Sequence, residues 1–330
     1  MTNMTKTTNI TKSTNTIPEP LGPDSLTWKF LGDWRGLLVS LWAGSMQNMH
    51  PSLGAGVEQH SRFFEERWQR LLRSLYPISG VVYDGPHAHR TAREVRGYHA
   101  RIKGVDARGR QYHALDPDTF YWAHATFFGS TILVADRLCG GINEAQKRRL
   151  FDEHVQWYGM YGMSMRPVPA TWEDFQRYWK RMCTEVLEDN AAARGVLDLT
   201  GLPRPPFLPW LPELAWRPVG TMVGHTLRWF TIGLYDTEVR DLLGLTFSPR
   251  QAWCHRAVCR TVNTAFSLVP HDHRYHPRAR HAWRRTRGEL AADAAVVETP
   301  ERNLPPPSER GKPEHYVPPG RRHSSPDPST

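Results

Sequence analysis

The sequence predicts a mainly α protein built as one helical domain, and three observations predict it. Apolar residues recur at helical spacing, helix-opening signals stand before the periodic segments, and strand-like alternation is scarce. The first stripe lies in "GVEQHSRFFEERWQRLLRSLY", where Val57, Ser61, Phe64, Trp68, Leu71 and Leu75 step by four and three. In "REVRGYHARIKG" (93–104), Val95, Tyr98, His99 and Ile102 share one helical face, with Arg93, Arg101 and Lys103 elsewhere around it. "QYHALD", after Gly104 and Gly109, is the best candidate for a short strand or hairpin. "FYWAHATFFGSTILVADRL" is apolar around most of its circumference, which predicts a helix buried on nearly all sides. Thr171 before "WEDFQRYWKRMCTEVL" resembles a capping box. Ser248–Pro249 sets an N-cap and a first-turn proline before "RQAWCHRAVCRTVNTAF".

Composition limits what this domain does. The chain has 330 residues, enough for a sizeable core, and 13 Trp, 12 Phe and 11 Tyr, which suit an apolar pocket as well as a core. Residues 1–24 (Thr/Asn-rich, then proline) and 297–330 (Pro/Ser-rich) read as disordered tails around an ordered domain at 25–296. Four scattered cysteines, Cys139, Cys183, Cys254 and Cys259, form no C-x-x-C pair and read as free thiols of a reducing compartment. The N-terminus lacks the apolar segment of a signal peptide, and no apolar run is long enough to span a bilayer. A cytoplasmic location follows, with peripheral membrane contact left open. Net charge is +9, and six arginines between Arg274 and Arg287 stand without an acidic residue. Such a run reads first as a solvated basic surface; nucleic-acid binding has only this charge in its favour.

The sequence carries no H-E-x-x-H, P-loop, G-x-S-x-G or clean G-x-G-x-x-G. No glutamate precedes a histidine by three, so the Glu-x-x-His pairs of a di-iron bundle are excluded. What remains is histidine in apolar company: His99 on its helical stripe, and His124 amid Phe120, Tyr121, Phe127 and Phe128. Each alone reads as a hydrogen-bonded core imidazole; together they also suit an aromatic-walled haem pocket, in which one imidazole ligates iron. Propionates want basic partners, and on a continuous helix Arg96 and Lys103 flank His99 one turn either side. The cluster "HDHRYHPRARH" (271–281) is irregularly spaced and charged, so a solvated surface is favoured there over a metal site.

Several stretches together resemble one family, that uniting the rubber oxygenase (latex clearing protein) catalytic domain with the ER-bound oxygenase MpaB. They are "MHPSLGAGVEQHS" (49–61), "RLLRS" (70–74), "VRGYHARIKG" (95–104), "LDPDTFYWAHATFFGS" (115–130) and "GLYDTEVRDLLGLTFS" (233–248). The resemblance implies a globin-like helical domain around a haem b pocket, with His99 as proximal iron ligand and Arg96 and Lys103 beside it. On the distal side the family's Lys-Thr pair, with an arginine three residues before the lysine, falls on Arg73, Ser74 and Arg70. Arginine does not readily lose its proton, so ligation by Arg73 is in doubt, while hydrogen bonding to bound dioxygen by Arg73 or Ser74 fits. His50 and His60 read as structural residues near helix ends. His124 stays open between a second haem-facing group and a structural histidine. The implied activity is oxygenation of an apolar substrate by dioxygen, with cleavage of a C=C bond in an isoprenoid or lipid as one form. The walls would come from 120–128 and "WLPELAWRPVGTMVGHTLRWF" (210–230). A non-catalytic haem or apolar-ligand carrier is the alternative.

Overall fold

The computed structural model describes residues 18–63, 66–305 and 307. Among these the chain is almost entirely helical. It opens with α1 (Leu26–Phe30), a 3-10 turn over Trp34–Val39, α2 (Ser40–Asn48) and α3 (Pro51–His60). Then α4 (Arg67–Tyr83) and α5 (Ala88–Tyr98) precede a hairpin of β1 (Lys103–Val105) and β2 (Gln111–His113). Next come α6 (Pro117–Leu133), α7 (Glu144–Gly159), α8 (Trp172–Arg181) and α9 (Ala191–Leu197). The last four are α10 (Glu213–Leu234), α11 (Thr237–Leu242), α12 (Pro249–Ser267) and α13 (Pro277–Thr286).

The expected buried helix is α6. Asp116 caps it by accepting from the Asp118 and Thr119 amides, Pro117 occupies the first turn, and its side chains are buried from Thr119 to Trp122 and again at His124–Thr126. Trp122 reaches the Met46 carbonyl of α2 through its indole N–H at 3.0 Å. On α7, Glu153 accepts from the Leu26 and Thr27 amides at 3.0 and 2.7 Å, holding the start of α1 against the core. Ser248 and Gln251 form the full capping box at α12; Thr171 makes the side-chain half of one at α8.

Two expectations need correction. The stripe from Val57 to Leu75 is two helices: Ser61 is extended and ends α3, and α4 begins at Arg67 (Phe64 lies outside the described residues). The segment 93–104 is not one helix either. α5 stops at Tyr98, His99 is its C-cap, and Lys103 begins β1, paired with His113. Gly97 weakens the last turn, and the hairpin supplies hydrogen bonds that a longer helix would forgo. The described residues also include short stretches on either side of 25–296. Pro18 and Glu19 carbonyls accept from His89 and Gln156, and beyond 296 Val297 and Asn303 carbonyls accept from Arg278 and Arg73.

The arginine run 274–287 is also not the solvated surface expected. Arg278 donates to Asp84 at 2.8 Å and to the Val297 carbonyl, Arg285 to the Tyr83 carbonyl, and Arg274 to the Val269 and Ser267 carbonyls. Arg284 and Arg287 pair with Glu289. Within 271–281, Tyr275, His276, Arg278 and Ala279 are buried, and no group of three metal-ligating side chains occurs among the described residues.

The Asp84–Arg278 pair is buried on both sides and joins α13 to the end of α4, while Thr91 of α5 donates to the same carboxylate oxygen at 2.6 Å. Removing one partner strands the other charge. Asp84→Ala is therefore expected to cost about 3–5 kcal/mol in a denaturant unfolding curve. A loss below about 1 kcal/mol would show the pair to be incidental.

Candidate functional site

The site is built from α4, α5 and the start of α6. At the end of α5 the His99 ring turns inward, and Nδ1 lies 2.8 Å from the Val95 carbonyl one turn earlier. That bond makes Nδ1 the protonated nitrogen and directs the lone pair of Nε2 away from the helix. No hydrogen-bond partner meets Nε2 among the described residues. Phe120 of α6 meets the ring edge-on, centroids 5.9 Å apart. Protein encloses His99, and the loss of hydration lowers its pKa below the ordinary value. The Val95 bond opposes this shift and the charge of Arg70 adds to it. Yet the side chain is only half-buried.

Helix α4 supplies the opposite side. Its second half, from Ser79 to Tyr83, is buried, whereas every residue from Arg67 to Leu75 is half-buried. Among the described residues Leu71, Leu72 and Leu75 join neither apolar cluster and stay half-buried. Arg70 donates to the Ser74 hydroxyl, and that hydroxyl donates to the Arg70 carbonyl at 2.8 Å. The Ser74 proton is therefore engaged within the helix. Arg73 lies 3.4 Å from Glu66 and donates to the Asn303 carbonyl at 3.0 Å. Asn303, only 2% exposed, brings the end of the described chain onto α4.

The remaining expected residues divide. Arg96 donates to the Tyr161 and Gly162 carbonyls, each at 3.2 Å, tying α5 to the turn after α7. Lys103 is exposed on β1 rather than one helical turn beyond His99. His124 stacks on His154 at 4.5 Å, with Trp157, Tyr158 and Tyr161 around it, and Tyr161 and Phe120 stand between it and His99. This is a core position. Sequence reasoning missed His154, whose Nε2 lies 3.1 Å from the Tyr121 hydroxyl; only its place amid Phe151, Trp157 and Tyr158 hinted at burial. His50 is the N-cap residue of α3, and His60 closes that helix with Nε2 3.3 Å from the Lys103 carbonyl.

The walls assigned to 120–128 are mostly packed core, with Phe120 the residue that reaches the His99 ring. In 210–230, Trp216 packs on Leu199 and Leu202 in a second small cluster that Trp68 of α4 joins. Two clefts lie elsewhere. One of about 480 Å³ lies beside the first turns of α8, where Arg166 and Arg177 are already paired with Asp118 and Asp174. Another of about 190 Å³ surrounds Arg35 and Cys139. Neither combines an unpartnered imidazole nitrogen with an apolar wall.

The family described as ER-bound oxygenase mpaB/B'/rubber oxygenase, catalytic domain, matches residues 28–264, a span that includes α3 to α6 and the whole site. No curated protein and no solved structure matches the chain.

The buried histidines make stability depend on pH. Burial lowers His50 to about 4 and His124 and His276 to about 3. An unfolded histidine takes its proton near 6.5 and these folded ones do not, so their full contribution holds above 6.5 and falls as the pH drops toward 3–4. Each should cost on the order of 2 kcal/mol at pH 5 relative to pH 7. A Tm that stays flat across that interval would contradict the burial of these rings.

Proposed function

The chain belongs to the mpaB/rubber oxygenase catalytic-domain family, and on that premise we propose that it is a haem b-dependent oxygenase whose iron is carried by His99. The observation that supports this reading is the imidazole itself: Nδ1 is committed to a backbone carbonyl, Nε2 has no hydrogen-bond partner among the described residues, and Phe120 meets the ring edge-on. A ring fixed in this way is oriented and made more basic toward a metal. When bound, haem b supplies the activation of dioxygen, and the protein supplies binding, orientation and exclusion of water.

The chain's own residues divide these tasks. His99 holds the group from the α5 side, and Phe120 fixes the imidazole plane. Lys103 and the unused N–H groups of Arg96 are the cations available to haem carboxylates on that side. Across the cleft, Leu71, Leu72 and Leu75 exclude water and accept an apolar chain. Arg70 and Arg73 bring guanidinium groups, and with them positive charge and N–H donors, to the side where negative charge develops on oxygen. Ser74 is a weaker candidate than the resemblance implies, because its hydroxyl already donates to Arg70. The substrate class that suits these walls is apolar, an isoprenoid or unsaturated lipid chain, with oxidative cleavage of a double bond as the reaction. Four free cysteines suit a reducing, cytoplasmic setting.

One observation favours a second reading, a haem or apolar-ligand carrier without turnover. Arg73 stands where the family has lysine, and Glu66 and the Asn303 carbonyl hold its guanidinium. Oxygen consumption by the reduced protein, with and without an unsaturated isoprenoid, separates the two.

His99→Ala is the direct test. The variant should keep its far-UV circular dichroism and lose most of the Soret absorbance per polypeptide after expression with haem supplementation. Full haem content in a folded His99→Ala protein would refute the assignment.

A further inference from the structure

The charge run evident in the sequence, 274–287, is largely consumed inside the fold, whereas α12 gathers three arginines with no partner among the described residues. We propose that the outward face of α12 is a docking surface for an anionic lipid bilayer. One face of this helix is buried: His255 meets the Phe230 carbonyl of α10 at 3.0 Å, and Cys259 lies one turn further on. The opposite face carries Arg250, Trp253 and Arg260 within an arc of about 80°, at ~100° per residue, with Arg256 at its margin. Among the described residues none of these three arginines has an ion pair or hydrogen bond. No acidic residue occurs from Pro249 to His271. Trp253 stands exposed among them at 62%, Val258 lies exposed at 39% on the flank beyond Arg250, and Leu268 is exposed at 83% at the C-cap.

Charge and apolarity together select the occupant. Duplex nucleic acid would satisfy the arginines and leave Trp253, Val258 and Leu268 in water. A second copy related by a two-fold axis would set arginine against arginine, with no carboxylate on either side. A bilayer with acidic headgroups satisfies both sets: guanidinium groups at the phosphates, the indole at the interface, and aliphatic side chains in the acyl boundary. No helix among the described residues is long and apolar enough to cross a membrane, so α12 lies on the surface. The inference is independent of the iron site.

Co-sedimentation of the full-length protein with vesicles tests it. Vesicles of mixed phosphatidylglycerol and phosphatidylcholine should bind the protein at low salt, and pure phosphatidylcholine vesicles at least ten-fold more weakly. The triple variant R250Q/R256Q/R260Q should lower partitioning on the order of a hundred-fold, at roughly five-fold per arginine. Trp253→Ala should weaken binding while leaving its salt dependence intact, and unchanged thermal melts would show both variants folded. Equal binding to neutral vesicles, wild-type partitioning by the folded triple variant, or displacement from the vesicles by duplex DNA would each overturn the proposal.

Discussion

The buried contact between Asp84 and Arg278 sets the geometry on which the site depends. It lies at the C-terminal end of α4, takes a third partner in Thr91 of α5, and is closed by α13. Gly80 is part of the same device: a Cβ there would run into the Arg278 guanidinium and come within 2.9 Å of the Thr91 methyl. A buried ion pair adds little net stability over apolar packing of the same shape. What it does here is fix which turn of α4 faces which turn of α5. Arg70, Arg73 and Ser74 on one helix and His99 at the end of the other inherit their separation from it.

The order within α4 follows from this anchoring. From Ser79 to Tyr83 the helix is buried; from Arg67 to Leu75 it is half-buried at every position; Pro77 stands at the junction. Proline cannot return an N–H to the carbonyl four residues earlier, which is that of Arg73, and such a position bends a helix. The packed half acts as a foundation, and the half before the proline stays half-buried. Among the described residues its leucines belong to neither apolar cluster, which leaves them available for the apolar contacts proposed above.

Much of the helical scaffold was legible in the sequence because its causes are local. Thr171 and Ser248–Pro249 announce helix starts through their own hydrogen bonds, and α6 is apolar around most of its circumference, as a helix surrounded by others must be. What was not legible depends on distant partners. His99 and Ile102 share a helical stripe with Val95, yet the chain leaves the helix because residues 103–105 pair with 111–113. The arginines after Arg274 read as a surface because nothing nearby in sequence opposes them. Their partners are Asp84 and backbone carbonyls as far away as Tyr83 and Val297. His154 was passed over because its environment, the stack of His124 and Phe128 on its two faces, forms only when α6 and α7 meet.

The resemblance sets Arg73 against a lysine of the family, and the structure shows what holds a guanidinium at this position. A lysine ammonium is a point charge that can be deprotonated when desolvated; a guanidinium stays charged and needs several acceptors in a plane. Position 73 supplies them: the Glu66 carboxylate on one side and the Asn303 carbonyl on the other. Asn303 can reach Arg73 only because Arg278 has already drawn the Val297 carbonyl onto α13, so the pair that anchors α4 also guides the chain back over it. The Arg73 guanidinium is thus fastened to the protein's own C-terminal segment. Its permanent charge is kept paired where α4 is half-buried, at a position that an unpaired cation could occupy only at the cost of lost hydration.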